Sequence, residues 1–302
     1  MRPTNVVRTI AGAALAAALA CDSPIEPGPS DSAEIYFDIP GANNIEIGLQ
    51  FIPGKEQFLF IERIYKDIDV PWTGHLNYIS IYDPATGDVE RVVGGDEYFC
   101  GGVLSPNGNM MVYGWKDGLW LMDPFPYGTS KLIVEDPIAG CVNWLPDNEH
   151  ITYSSASEIY KLNVFTLENE LLLEASFWDL YGAYSPDLRW FVAVRGRILD
   201  FEHQAYVELY DGETMEYIET LFTHEDGILG AGFWSQDSSK FYLIGYRTAD
   251  SLAADTVFYI YDFNTGDITQ VTYADRSDEF GIATISSPPD AEKIVFSTER
   301  HI

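Results

Sequence analysis

Basic residues are scarce in this sequence. Lys and Arg number 17 against 47 Asp and Glu over 302 residues, a formal charge of -30. A surface of that sign repels nucleic-acid phosphates and anionic bilayers, so nucleic acid is not expected as a partner. After residue 20 no apolar run is long enough to cross a bilayer as a helix. The five histidines, His75, His150, His203, His224 and His301, show no metal-ligand spacing such as His-Glu-x-x-His. There is no Gly-x-Ser-x-Gly elbow for a hydrolase nucleophile and no Asp-x-Asp-x-Asp-Gly calcium loop. Gly101-Gly102 leads into a strand rather than a helix, so it makes no phosphate loop. No catalytic residue, metal ligand or cofactor is therefore assigned, and catalysis is not expected. Cysteine is rare as well, with three residues, at 21, 100 and 141.

What the chain does have begins at its N-terminus. Arg2 and Arg8 give a basic start, Ile10 to Ala20 is apolar, and small residues lead to Cys21. That pattern reads as a signal peptide over residues 1–20. Ala18-Leu19-Ala20-Cys21 resembles a bacterial lipobox, with Leu one step later than usual. The resemblance implies lipidation of Cys21 and attachment to a bacterial cell envelope, on a periplasmic or extracellular face, with the membrane touched through the lipid alone. Residues 21–32 hold three prolines and no apolar period, as a solvated tether does. With Cys21 lipidated, Cys100 and Cys141 remain as a candidate disulfide between neighbouring repeats.

From residue 33 onward the chain repeats. One motif is an apolar strand, a small turn rich in Pro and Asp, and a second apolar strand. Its turns are Ile52-Pro53-Gly54, Ser105-Pro106-Asn107, Leu145-Pro146-Asp147, Ser185-Pro186-Asp187, Ser235-Gln236-Asp237 and a looser Ser287-Pro288-Pro289. A second motif is an alternating strand ending in Asp or Asn, as in Tyr78-Ile79-Ser80-Ile81-Tyr82-Asp83 and Phe258-Tyr259-Ile260-Tyr261-Asp262. Each unit then holds four short strands within 40 to 53 residues, the length and strand number of a propeller blade. The residue two before the turn position (Phe51, Leu104, Trp144, Tyr184, Trp234) is read as inter-blade core. The turn Asp side chains are read as acceptors for nearby backbone N–H groups. The Ser-Pro-Asp turn followed by a Φ-Tyr-Φ-x-Asp strand resembles the repeat of the TolB-type β-propeller family. The resemblance covers residues 33–302, without room for the α/β domain that precedes the propeller in TolB itself, so TolB's partners do not carry over.

The expected fold is all-β, a six-bladed propeller of four-stranded blades whose last blade is incomplete. The sixth repeat offers only two strands before Ile302, and Ala33–Ile39 is expected to close it as an N-terminal, outermost strand. A blade short of one strand fits either a three-stranded blade or a C-terminally truncated chain, and truncation is favoured.

In such a meander the entry loops and the loops between second and third strands share one rim. The long segments 62–75, 195–205 and 246–256 fall there, where binding develops on rigid scaffolds. So do Asp96, Glu97, Tyr98, Glu135, Asp136, Trp178, Asp179, Glu225, Asp226, Asp278 and Glu279, an acidic, aromatic-studded funnel. The functional expectation is a monomeric, non-catalytic envelope lipoprotein whose rim binds a protein, peptide or glycan partner. The alternatives are a propeller enzyme, a glycoside or peptide hydrolase or lyase using paired carboxylates, and the sensor module of a longer chain.

Overall fold

The computed structural model describes residues 6–11, 44–65, 75–96, 100–136, 140–174, 178–199, 202–224, 227–247, 256–272, 280–286 and 293–299. Every regular element among them is a strand. Blade 1 is β2 (Asn44–Phe51), β3 (Phe58–Tyr65), β4 (His75–Asp83) and β5 (Asp88–Asp96). Blade 2 is β6 (Cys100–Leu104), β7 (Met111–Trp115), β8 (Gly118–Asp123) and β9 (Thr129–Val134). Blade 3 is β10 (Gly140–Trp144), β11 (His150–Ser155), β12 (Glu158–Asn163) and β13 (Asn169–Glu174). Blade 4 is β14 (Trp178–Tyr184), β15 (Trp190–Leu199), β16 (Glu202–Asp211) and β17 (Tyr217–His224). Blade 5 is β18 (Gly227–Trp234), β19 (Lys240–Arg247), β20 (Thr256–Asp262) and β21 (Asp267–Thr272). Each is an antiparallel meander in chain order.

The expected six blades are corrected to five of four strands. The remaining sheet has three strands in the order β1-β23-β22, from β1 (Val6–Ala11), β22 (Phe280–Ser286) and β23 (Lys293–Glu299), and it packs between blade 5 and blade 1. The N-terminal strand it contains is β1, antiparallel to β23 with Val6 opposite Thr298 and Ala11 opposite Lys293, while Ala33–Ile39, expected as the closing strand, lies outside the described residues. The physical reason is composition: Val6, Val7, Thr9 and Ile10 are β-branched and suit a pleated surface. The same residues read as the start of a leader.

The turns explain why the repeats fold alike. Ser105, Ser185 and Ser235 each accept a backbone N–H five residues on, from Met110, Trp190 and Lys240, at 3.0, 3.0 and 2.8 Å. Each also donates to the side chain two residues on, Asn107, Asp187 or Asp237, at 2.7–2.8 Å. The turns after the third strands are as regular. Asp83, Asn163, Asp211 and Asp262 accept the N–H of Ala85, Phe165, Glu213 and Asn264 at 2.8–3.0 Å. The expected structural role of these turn side chains is present in each.

Between blades lies the core. Second-strand side chains facing the preceding blade meet apolar residues of that blade. Met111 and Tyr113 pack with Ile52, Leu59 and Ile79, Ile151 and Tyr153 with Val112, Leu119 and Leu121, and Phe241 and Leu243 with Val192, Val194 and Val207. Burying each such side chain contributes about 1.5–3 kcal/mol. Of the column read as inter-blade core, Leu104 and Trp234 are buried and Trp144 and Tyr184 half-buried in clusters shared with the preceding blade, whereas the half-buried Phe51 packs, among the described residues, on Phe58, Phe60, Tyr82 and Val89 of its own blade. The indole N–H groups of Trp144 and Trp234 donate to the backbone of the preceding blade, to Val103 O at 2.9 Å and Ala183 O at 3.1 Å.

Candidate functional site

The antiparallel meander puts the Pro and Asp turns at one end of every blade and the second-to-third-strand connections at the other. That other end is the rim named by the sequence. It is uneven. In blade 2 the connection is the pair Lys116 and Asp117, and in blade 3 the pair Ala156 and Ser157, both with positive φ (56° and 124°). In blade 4 the segment expected as a long loop is a β-ribbon, running from Trp190 opposite Asp211 down to Leu199 opposite Glu202. Blades 1 and 5 carry their ladders out to Tyr65 opposite His75 and Tyr246 opposite Thr256. Blades 4 and 1 thus raise their part of the rim by three to four residues beyond blades 2 and 3, whereas the described ladder of blade 5 ends one residue beyond them.

On the low side stand Glu135, which is exposed, and Asp136, half-buried, which accepts a hydrogen bond from the Ser155 hydroxyl. Asp96 ends β5, and Trp178 and Asp179 open β14, with side chains outside the described set. Glu97, Tyr98, Glu225, Asp226, Asp278, Glu279 and Cys21 lie outside the described residues. The structure therefore brings Glu135 and Asp136 together at the rim. Cys100 opens β6, its side chain outside the described set, and Cys141, exposed with φ 48°, lies in β10 of the next blade. Among the described residues no three His, Cys, Asp or Glu side chains stand close enough to hold a metal.

Near the rim, each second strand presents one position toward the preceding blade, nine residues past its turn position. It holds Glu62, Trp115, Ser155, Arg195 and Gly245 in blades 1 to 5. The register places one third-strand residue diagonally across from it: Ser80, Trp120, Tyr160, Glu208 and Tyr259. In blade 1 the buried Glu62 carboxylate accepts Arg91 Nε at 2.6 Å and a second guanidinium nitrogen at 2.9 Å, and Ser80 donates to it at 3.4 Å. The Glu62 hydrogen bond raises the Arg91 pKa above its ordinary value, and the guanidinium lies 4.6 Å from the Tyr78 ring centroid. In blade 2 Trp115 and Trp120 meet at 5.8 Å, with Lys116 over Trp115 and Asp117 accepting the Trp120 N–H.

In blade 3 the Tyr160 hydroxyl donates to Glu158, which pushes its pKa up to about 12. In blade 4 Arg195 Nε lies 3.0 Å from Glu208, a second Arg195 nitrogen donates to the Tyr210 hydroxyl at 2.8 Å, and Tyr210 donates to Glu208 at 2.6 Å. Burial first, then Glu208, raises the Tyr210 pKa. In blade 5 the Tyr259 hydroxyl and His224 Nδ1 lie 3.1 Å apart, both residues buried. The inner strands are tied across blades in the same region. The single Tyr181 hydroxyl proton has two acceptors within reach, Asn143 Oδ1 at 2.9 Å and the Gly232 carbonyl, and Asn143 and Thr152 donate to the Gly182 carbonyl. Burial raises the Tyr181 pKa.

Sequence reasoning missed this position. The signal was available as a constant offset from the turn, but its burial depends on which face of the strand meets the neighbour. Chemically the column holds its charges rather than offering them: the acid of blade 1 and the base of blade 4 are each neutralised within their own blade.

No family model matches the chain, and no curated protein matches it. Solved structures do. A TolB candidate from Agrobacterium tumefaciens shares 16% identity at TM-score 0.68, with 99% of each chain covered. TolB from Acinetobacter baumannii shares 16% at TM-score 0.55, over 83% of this chain and 79% of that one. An oligogalacturonate lyase in complex with manganese shares 13% at TM-score 0.57, over 88% and 80%. At such identities the likeness is one of fold: this chain has the architecture of the TolB-like β-propellers.

Proposed function

We propose that the protein is a non-catalytic lipoprotein of a bacterial cell envelope, anchored through Cys21, whose rim takes a protein, peptide or glycan partner. The observation that carries this reading is the stepped rim. Two long hairpins, of blades 4 and 1, stand on one side and the tight turns of blades 2 and 3 on the other, with Glu135 and Asp136 on the low side. A step of that kind admits a ligand from one side and holds it against a wall. The acidity favours a partner with basic groups.

Two experiments test it. Affinity capture from envelope extract would compare the full chain with a variant neutralised at Asp96, Glu97, Glu135, Asp136, Glu225, Asp226, Asp278 and Glu279. A partner retained by the first and lost by the second is the expected outcome; the same partners on both would return these acids to a solvated surface. The anchor is tested by intact mass and membrane fractionation of the chain and of Cys21→Ala. Cleavage before Cys21 removes β1 from β23, so a mature mass lacking residues 1–20, with added lipid that the variant lacks, is expected.

The rival reading is a carbohydrate-cleaving enzyme, favoured by the fold likeness to the lyase. Turnover of oligogalacturonate with manganese, abolished by one rim carboxylate substitution, would establish it in place of the binding role.

A further inference from the structure

The end opposite the rim carries a second surface. Four of its turns after third strands share one build. In each, a Thr hydroxyl (Thr86, Thr166, Thr214, Thr265) accepts the N–H two residues on at 3.2–3.3 Å. In each, the following residue donates its N–H back to the turn's first carbonyl at 2.8–2.9 Å. That following residue has positive φ in all four, which an L side chain adopts at a cost. Blades 1 and 5 place Gly87 and Gly266 there, at 78° and 74°. Blades 3 and 4 place Leu167 and Met215, at 63° and 57°. The turns between first and second strands repeat the contrast: blade 2 uses Gly108 at 70°, and blade 4 uses Leu188 at 61°.

Leu167 and Leu188 are also exposed, at 40% and 42%. Each breaks two local rules at once, strained backbone and an apolar side chain in water, where glycine satisfies both in a sister blade. They are not isolated. Of the eight exposed large hydrophobic residues among those described, six are on blades 3 and 4: Phe165, Leu167, Leu171, Leu188, Tyr217 and Ile218. Scattered apolar side chains need no explanation, but a concentration on two adjacent blades does. The exposed charged residues among them are mostly acidic, Glu168 and Glu170 on blade 3 and Asp187, Glu213, Glu216 and Glu219 on blade 4, against one exposed base, Arg189.

We infer that this turn-side face of blades 3 and 4 docks a basic polypeptide segment carrying aliphatic or aromatic side chains. Charge selects the occupant. A second copy would bring its own charge of -30 against these glutamates, and an anionic bilayer is repelled in the same way. A cationic segment with apolar side chains meets both components of the face.

The test uses the full chain and a short fluorescein-labelled peptide of alternating lysine and leucine, with a lysine–serine peptide as comparison. Binding is read by anisotropy against wild type, a Leu167→Gly/Leu188→Gly variant and a Glu135→Gln/Asp136→Asn rim variant. The glycine variant restores the residue that sister blades use, so its thermal midpoint should hold or rise while lysine–leucine binding weakens by roughly tenfold or more. The rim variant should bind as wild type does. Equal binding by the glycine variant, equal binding of the two peptides, or a loss confined to the rim variant overturns the inference. So does wild-type self-association, seen in sedimentation, that the glycine variant abolishes, since the face would then belong to a second copy.

Discussion

Blades 1 and 4 carry opposite charges at one and the same place. Glu62 and Arg195 both stand nine residues beyond the turn, on the face toward the preceding unit, and both are compensated within their own sheet. The compensation differs. Arg91 reaches Glu62 from the outermost strand with 49% of its side chain exposed, whereas Glu62 is 3% exposed; Arg195 and Glu208 are equally covered, at 16% each. The scaffold thus sets the depth of the position, and the sign of the charge is free so long as a partner comes with it. Such pairs are weak evidence for stability, because desolvation offsets attraction, but removing one member leaves the other uncompensated.

The largest predicted effect follows from the asymmetry of blade 1. Arg91→Ala takes the bidentate cation away from a buried carboxylate, which keeps the Ser80 hydroxyl, and should cost about 3 kcal/mol. Glu62→Gln leaves a guanidinium that water can reach and should cost about 1 kcal/mol. Urea midpoints of the two variants check the order, and a reversal would break the comparison. In blade 4 the symmetric burial predicts near-equal losses for Arg195→Met and Glu208→Gln, about 2 kcal/mol each, with the double variant costing less than their sum. A large inequality there would mean that Tyr210, bonded to both members, holds one of them by itself.

The acid limb of stability should depend on the turns. Asp83, Asp211 and Asp237 are held below the ordinary 3.8, by hydrogen bonds first from Gln57, the Thr214 amide and the Ser235 hydroxyl respectively. In Asp147 burial pushes upward but is outweighed by the amides of Glu149 and His150, and in Asp187 by the Ser185 hydroxyl and the Arg189 amide. A carboxylate with a lowered folded pKa binds its proton more readily when unfolded. Its contribution is therefore present above 3.8 and lost as pH falls through and below that value. Thermal midpoints should fall there, and less steeply in Asp237→Asn. The alkaline limb has the opposite sign. Burial, then Glu170, pushes Tyr184 up to about 12 from 10.0, so its contribution is intact below 10 and lost as pH rises through about 12. Tyr184→Phe should flatten that limb.

The smallest effect is a reciprocal exchange between sister turns. Gly87→Leu should cost about 1 kcal/mol and Leu167→Gly should return a similar amount, because only the left-handed backbone changes its fit. Matching shifts of opposite sign in chemical denaturation would show the two turns to be one design with different side chains.

The turn-side end was legible in the sequence nearly residue by residue, because its chemistry is local. Ser105, Asp187 and Asp211 bond partners two to five positions away, so spacing alone announces them. Of the three-stranded sheet, β22 and β23 were legible as the two strands of the sixth repeat, and β1 was not. β1 pairs with a strand at the far end of the chain, and Val6–Ala11 reads equally as a leader's opening and as a strand. Of the acids named for the rim, Glu135 and Asp136 are the two whose side chains are described. Glu135 and Asp136 are neighbours in sequence with different situations, one exposed and one bonded to Ser155 of another strand. The position of Glu62 and Arg195 was hidden because their partners, Arg91 and Glu208, come from other strands at separations set by hairpin length.

The pairing of β1 with β23 also gives the chain a mechanical character. Val6 stands opposite Thr298, so both ends of the ladder nearest the chain termini lie together. Tension applied through the two termini would load that ladder at a single rung and open it like a zipper, one bond at a time, at low force. Tension between neighbouring blades meets a different resistance, since Trp144, Trp234, Tyr181 and Asn143 anchor separate seams whose bonds must each be broken.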